Sequence, residues 1–437
     1  MSHSFLILST GSELTSGRSI DGNGPFLAST LSEIGYDIYG KAILPDDPES
    51  LQREIGRWMQ LDLAGIIMTG GLGPTADDHT LDVAAELTGR AIVDDEKSLR
   101  RLEMIAARSR GRISVENARR QVRTLEGATV LKNDAGLAPG FLVEYGDENR
   151  NPRPVLVAMP GVPQEMTAMF EKYTLPALRE RFATKERARR VFYVYGIGES
   201  TFQQRFFGRK RPRPDDEPPL VNQSDLSPDF RWGITAGEGR NKVFFDSYDQ
   251  AEIDRLYEIA LGEYPERLMD DTVEGMLHGL CTQRGFTIGA AESCTGGLAG
   301  KLLTDRPGSS AYFLGSLACY HNDVKEKVLG VPAATLEAHG AVSRETAAAM
   351  ATGALDALGC DFAVSITGVA GPGGGTPEKP VGLVYSGVAG RGREPTTFET
   401  NLPLDRDRIR RYSANMALFF LYNYIRESVE PGRGDPL

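Results

Sequence analysis

Ser293 stands in the run Ala291-Glu292-Ser293-Cys294-Thr295-Gly296-Gly297, between an apolar stretch that reads as a strand and one that reads as a helix. A hydroxyl at such a junction lies among the backbone N–H groups, here Cys294 to Gly297, that a helix start leaves without partners. The place suits a nucleophile with an oxyanion site beside it, and it suits a plain helix cap about as well. Gly296 and Gly297 would let a ligand approach the backbone closely, which tilts the reading toward function. A serine attacks only when a base takes its proton. Tyr320 and Lys325 span a strand end and a helix start, and a lysine beside a partly buried tyrosine can lose its proton near neutral pH. Taken alone, the two are more simply a half-buried tyrosine and a surface lysine. His321 is a further candidate base, with no obvious acid partner.

Thr367 to Gly375 carries five glycines in nine residues after a strand. Thr367, Gly368, Gly371 and Gly373 could form a backbone cradle for phosphate. No Gly-Lys-Ser/Thr follows, so it is not a Walker loop; a flexible hairpin loop is the plainer alternative. Lys379 follows closely. Arg406, Arg408, Arg410 and Arg411 begin the last helix, and helical periodicity allows only one or two of them to face a site. A second glycine run, Gly70-Gly71-Leu72-Gly73-Pro74-Thr75-Ala76-Asp77-Asp78, follows an N-terminal strand. Its amides could bind phosphate, and its carboxylates a divalent cation that bridges a diphosphate. An Asp-rich helix start is the alternative.

The elements that must position these groups alternate. Phe5–Ser9, Tyr36–Ile43, Gly65–Thr69 and Val155–Met159 read as strands, with helices over about 24–34, from Pro48, and over 165–181. Strand–helix alternation predicts a mostly parallel sheet with helices on both faces. Residues from about 190 to 265 read as a small α+β domain, with an Arg/Lys/Pro-rich then acidic loop at 209–219 that reads as mobile and solvated. From Thr272 the alternation resumes, with strands at 286–291, 362–366 and 381–388, helices at 295–303, 343–357 and 405–425, and Ser343 as an N-cap. The expected domains are 1–185, 186–268 and 269–430.

At 437 residues the chain is too long for one core. Its formal charge of −11 argues against non-specific binding to nucleic acid or an anionic membrane. No apolar run reaches the ~18 residues of a membrane span. The N-terminus lacks the basic leader of a signal peptide. Four cysteines, none in a Cys-x-x-Cys pair, fit reduced thiols and a cytoplasmic location, and the His spacing offers no zinc site.

In order, Ala-Glu-Ser-Cys-Thr-Gly-Gly (291–297), Pro-Gly-Ser-Ser (307–310), Tyr320 to Lys325, Gly-Ala-Val-Ser (340–343), Thr367 to Pro372 and Lys-Pro-Val-Gly (379–382) closely resemble the CinA C-terminal family, over about 272–425. The resemblance implies a nicotinamide-nucleotide amidase of pyridine-nucleotide salvage. It would convert nicotinamide mononucleotide to nicotinic acid mononucleotide and ammonia, without a cofactor. It implies Ser293 as nucleophile, with Tyr320 and Lys325 as activating partners and His321 peripheral. Thr295, Gly296, Gly297 and the Thr367 loop would bind substrate, with Arg410 or Arg411 on its phosphate.

Gly70, Gly71, Gly73 and Thr75, with Gly11 to Leu14, Asp21 to Asn23, Asp46-Asp47, Asn133 to Gly140 and Pro160 to Met166, resemble the molybdopterin-binding-like N-terminal domain of the same proteins. That implies a three-layer α/β domain with ADP-ribose pyrophosphatase activity. A divalent metal (magnesium, manganese or cobalt), with potassium as an optional companion, would be held among Asp21, Asp46, Asp77, Asp78 and Glu165. Ser-Glu-Leu-Thr-Ser-Gly and Asp-Gly-Asn depart from the family's Gly-Glu-Leu-Leu-x-Gly and Asp-Thr-Asn but keep the charged residues. The middle region resembles the small KH-like domain of these proteins, and the resemblance implies a homodimer. The competing expectation is a competence- or damage-associated binding protein with an inert N-terminal domain.

Overall fold

The structure, a computed structural model, describes residues 3–108, 114–185, 187–209 and 217–429. Most of the loop expected at 209–219 (residues 210–216) lies outside them. The chain divides into two compact units, one up to Arg187 and one from Ala188 onward.

The first unit contains β1 (Ser4–Thr10), β2 (Asp37–Leu44), β3 (Gly65–Thr69), β4 (Ile92–Asp94), β5 (Arg123–Leu125), β6 (Thr129–Leu131), β7 (Gly140–Glu144) and β8 (Val155–Met159). β4 and β5 pair as a short antiparallel ribbon. The other six form one sheet in the order β2-β1-β3-β8-β7-β6. Its first four strands run parallel, and β7 runs antiparallel to both of its neighbours, β8 and β6. Alternating side chains divide its core into two. Leu6, Leu8, Ile66 and Met68 pack with Leu51 and Ile55 of helix Pro48–Trp58. Phe5, Ile7 and Ile67 pack with Leu27 and Leu31 of helix Asn23–Glu33. Burial on both faces is why these strands are apolar throughout, and it makes the unit three layers deep. The parallel strands deliver Thr10, Leu44, Thr69 and Met159 to one edge of the sheet.

In the second unit, β9 (Ala188–Tyr195), β10 (Arg231–Ala236), β11 (Arg240–Ser247) and β12 (Leu268–Met269) form an antiparallel sheet in the order β10-β11-β9-β12. Phe192, Phe202, Phe206, Phe245 and Tyr257 bury one face of it under helices Glu199–Phe207 and Gln250–Glu263. A five-stranded sheet follows, built from β13 (Ile288–Glu292), β14 (Phe313–Ala318), β15 (Phe362–Gly368), β16 (Leu383–Gly390) and β17 (Thr396–Asn401). Its order is β14-β13-β15-β16-β17, with β13 second from one side and parallel to both neighbours.

Helix Arg406–Val429 is buried on almost every side from Ser413 to Ile425. It packs against β15, β16 and helices Val273–Arg284 and Leu298–Thr304. Tyr195 of β9 stacks on its Phe419 at 5.1 Å, so both sheets share one core.

Two helices differ from expectation. The one expected at 295–303 begins only at Leu298, after a turn through 294–297. The one expected over 165–181 runs from Pro163 and is interrupted by a wider π turn at Phe170–Thr174.

Candidate active sites

The ends of β13, β14 and β15 lie at one edge, and they bring Ser293, Tyr320 and Thr367 to it. The Ser293 N–H donates to the Ile366 carbonyl of β15 at 2.9 Å, which extends the pairing one residue past β13. Among the described residues no hydrogen bond occupies its hydroxyl. Ser293 is not the helix cap. Gly297 is, in the left-handed region at φ 96°, where a side chain would be strained.

Of the amides Ser293 was expected to sit among, Cys294 to Gly297, Glu292 occupies that of Gly297, and it takes the next helix amides as well. Its fully buried carboxylate accepts from the N–H groups of Gly297 (3.0 Å), Ala299 (3.0 Å) and Gly300 (2.9 Å), and from the Ser316 hydroxyl (2.7 Å). An acid at the positive end of a helix is favourable, and four donors meet the demand of a buried carboxylate. The helix start is therefore already satisfied from inside the protein. The sequence signal was present: one acid ends an otherwise apolar strand just before a glycine-led helix.

Lys325 is 1% exposed. Its ammonium donates to the Tyr320 carbonyl at 3.3 Å. Burial pushes its pKa below the usual lysine value, against smaller opposing effects of the Cys319 and Cys294 thiols. It is a buried amine, not a surface lysine. Tyr320 is the reverse, 64% exposed rather than half-buried. Its hydroxyl accepts from Arg406 at 3.3 Å, and the same guanidinium donates to the Gly371 carbonyl at 2.7 Å. Arg406 thus ties the glycine-rich loop to the tyrosine. His321 caps helix Asn322–Leu329 by accepting from the Asp323 N–H, a structural role.

The two candidate arginines part company. Arg410 turns inward and donates to the carbonyls of Cys294 (3.1 Å) and Thr295 (2.7 Å), bracing the turn after Ser293. Arg411 points away and pairs with Asp407 at 2.8 Å. Thr295 is fully buried, and its hydroxyl has no partner among the described residues. Gly296 is exposed beside Arg410. Thr367 lies within β15, and its hydroxyl donates to the Ala341 carbonyl at 2.6 Å, so it is spent on structure. Gly368 packs tightly against Val384; Gly371 is buried, and the loop is exposed from Pro372 through Gly373. Lys379 bonds the His339 carbonyl at 2.6 Å.

In the first unit, the ends of β1, β3 and β8 frame a cavity of about 510 Å³. Ligands of parallel sheets bind at this edge. Asp21, Asp46, Asp77, Asp78 and Glu165 all line it, as do Gly70, Gly71 and Gly73. Thr75 does not: its N–H and hydroxyl both bond Asp78. A side chain on Gly71, at φ 66°, would collide with the Thr80 hydroxyl, so the glycine lets the loop pass close to the helix start. Several carboxylates are already held by the chain. Asp46 accepts from the Ser12 N–H (2.8 Å), Asp21 from the Gly24 N–H (3.0 Å), and Glu165 from the Asn133 amide (2.7 Å). Bonding within the Thr75 turn lowers the pKa of the exposed Asp77. No three His, Cys, Asp or Glu side chains converge as a metal cage among the described residues. No helix among the described residues is long and apolar enough to cross a membrane.

A family model described as the CinA C-terminal domain matches residues 270–425, and one described as a probable molybdopterin binding domain matches 6–180. A CinA-like protein of Leptospira interrogans is 40% identical over 428 residues, covering 96% of this chain and 98% of its own. One from Leptospira biflexa is 39% identical over 431 residues, covering 97% and 99%. Among solved structures, the competence/damage inducible protein CihA of Agrobacterium tumefaciens is 41% identical. It covers 35% of this chain and 95% of its own, at a TM-score of 0.34.

Proposed function

This chain belongs to the CinA family, and from that premise we propose that its second unit hydrolyses the carboxamide of nicotinamide mononucleotide. The observation that carries the reading is a serine with an unengaged hydroxyl at the edge where β13, β14 and β15 end, close in the fold to a buried lysine of lowered pKa. The neutral Lys325 amine takes the Ser293 proton as Oγ bonds to the amide carbon. Lys325 then returns the proton to the departing nitrogen, the C–N bond breaks, and ammonia leaves. Water attacks the resulting ester by the same route and releases the carboxylate product and Ser293.

Glu292 occupies three amides of the helix start, so the oxyanion falls to the amides of Cys294 and Thr295 in the turn itself. Arg410 holds that turn in shape, while Arg406 and the loop from Gly371 face the phosphate. The test is ammonia release from nicotinamide mononucleotide by the purified chain. Ser293→Ala should lower kcat at least ~1000-fold, the scale of losing an activated nucleophile. A variant with an unchanged rate overturns the assignment.

The cavity of the first unit supports a second activity, cleavage of a nucleoside-diphosphate sugar such as ADP-ribose. Among the described residues no lysine or arginine lines it, while five candidate carboxylates and Glu13 do. An anionic diphosphate can enter such a place only with cations. Magnesium or manganese fits these hard oxygen donors, and magnesium needs only one or two carboxylates when phosphate and water complete its shell. Asp77 and Asp78, beside the Gly70–Gly73 amides, with Asp46 and Glu165, would hold it. The metal would neutralise the diphosphate and lower the pKa of the attacking water.

A further inference from the structure

We propose that Arg119, Arg120 and Arg123, beside the β4–β5 ribbon of the first unit, bind a phosphate group, either the free ion or a phosphate monoester. With Asp82 and Asp94 they line an open pocket of about 550 Å³. None of these five residues lines the strand-end cavity. The site is therefore a separate one, and it stands whichever reaction that cavity supports.

Three short elements bring the charges together. Arg119 and Arg120 begin a short helical turn, Arg119–Val122, and Arg123 opens β5 directly after it. β5 pairs with β4, which sets Asp94 opposite Arg123. Asp82 comes from the first turn of helix Thr80–Thr88.

Each guanidinium is held from one side. Arg119 donates to Asp94 from Nε (3.0 Å) and Nη2 (2.6 Å). Arg120 donates from Nη2 to Asp82 (2.6 Å) and to the Asp78 carbonyl (2.9 Å). Arg123 donates from Nε to the Arg120 carbonyl at 3.2 Å, and it pairs with no carboxylate among the described residues. Nη1 of Arg119, Nη1 of Arg120 and both Nη atoms of Arg123 have no partner among them either. The two aspartates thus fix two arginines in place without using up their donors. Three guanidinium charges share the pocket with two carboxylates, so one positive charge is left over.

The ligand follows from what remains. Guanidinium N–H groups can only donate, and they do so in a planar fork that matches two oxygens of one phosphate. A carboxylate ligand fills one fork, whereas a tetrahedral phosphate presents oxygens to several at once. Long side chains already tethered lose little further freedom when the anion arrives, which favours binding.

The test is calorimetric titration of inorganic phosphate into the full chain in EDTA, at fixed ionic strength. Wild type should bind phosphate, and sulfate should displace it where chloride does not. Arg123→Gln should weaken binding about tenfold or more, the scale of one charge-assisted hydrogen bond. Arg119→Gln, at an exposed position, should do the same and decides the matter should Arg123→Gln fail to fold. Phosphate bound elsewhere in the molecule is common to wild type and variants and cancels in the comparison. A parallel titration with ribose 5-phosphate identifies the source. Equal affinities mark the free ion as sufficient, and an ester bound about tenfold more tightly marks a phosphate monoester. No binding by wild type, equal binding by wild type and the folded variants, or displacement by chloride as readily as by sulfate overturns the site.

Discussion

At the scale of single residues, the second unit depends on two buried ionisable groups that solve opposite problems. Glu292 is satisfied by four donors, and Lys325 by one carbonyl. Lys325 has its pKa lowered by burial, so the sign of its pH effects is fixed. The unfolded chain holds its proton up to the ordinary lysine range, whereas the folded chain releases it earlier. Stability therefore rises with pH between those two values. Lys325→Met should raise Tm at neutral pH, by an amount that shrinks toward pH 10.5. It should also abolish ammonia release, since the base is gone. In wild type, kcat/KM should climb with pH through one ionisation below the usual lysine range, and Lys325→Arg should flatten that profile. Glu292 acts on Ser293 only through the turn. Glu292→Gln keeps the shape but brings two amide hydrogens toward a ring of donors. We expect kcat to fall ~10–100-fold with KM nearly unchanged and the pH profile kept, as for a displaced nucleophile. An equal change in KM alone would assign Glu292 to substrate binding.

At the scale of elements, β9 and the long helix Arg406–Val429 are coupled through one tyrosine. The Tyr195 ring stacks on Phe419, and its hydroxyl accepts from the Val273 N–H at 2.7 Å. Burial pushes its pKa up to about 12, so it stays protonated at any working pH. Tyr195→Phe leaves the ring in place and orphans a buried N–H, which costs about 1–3 kcal/mol. Denaturant unfolding of the full chain should show a lowered midpoint with m unchanged. Because the same helix carries Arg406 and Arg410, the variant should also raise KM for nicotinamide mononucleotide; unchanged kinetics would show that the helix start is held by the turn alone.

At the scale of the whole molecule, two parallel-stranded edges in two separate units carry chemistries with different needs. The first unit's cavity is lined with carboxylates and, among the described residues, has no cationic side chain, whereas the turn after Ser293 lies beside Lys325 and is braced by Arg410. Chelation with EDTA should therefore abolish ADP-ribose hydrolysis and leave ammonia release intact in the same sample. Loss of both would place a metal requirement in the second unit, against the serine mechanism.

Much of this was legible in the chain. Apolar runs ending in glycine or in a lone polar residue marked the strand ends, because a strand buried on both faces tolerates polarity only where it leaves the sheet. Candidates gathered at strand ends follow from that rule, and Ser293, Thr367, Gly70 and Asp77 lie where it puts them. Which polar atoms remain available could not be read, since hydrogen bonds between residues far apart in sequence decide it. Thr367 gives its hydroxyl to Ala341, Thr75 gives its own to Asp78, and Glu292 takes the helix start that Ser293 was expected to use. Helical periodicity could not separate Arg410 from Arg411; the turn after Ser293 does, by offering two carbonyls to one of them. The sequence alone determined the family, the order of the elements and the edge of each sheet that carries the candidates. Only the tertiary structure decided which side chains are buried and which are already satisfied, because burial and partnership are properties of neighbours in space.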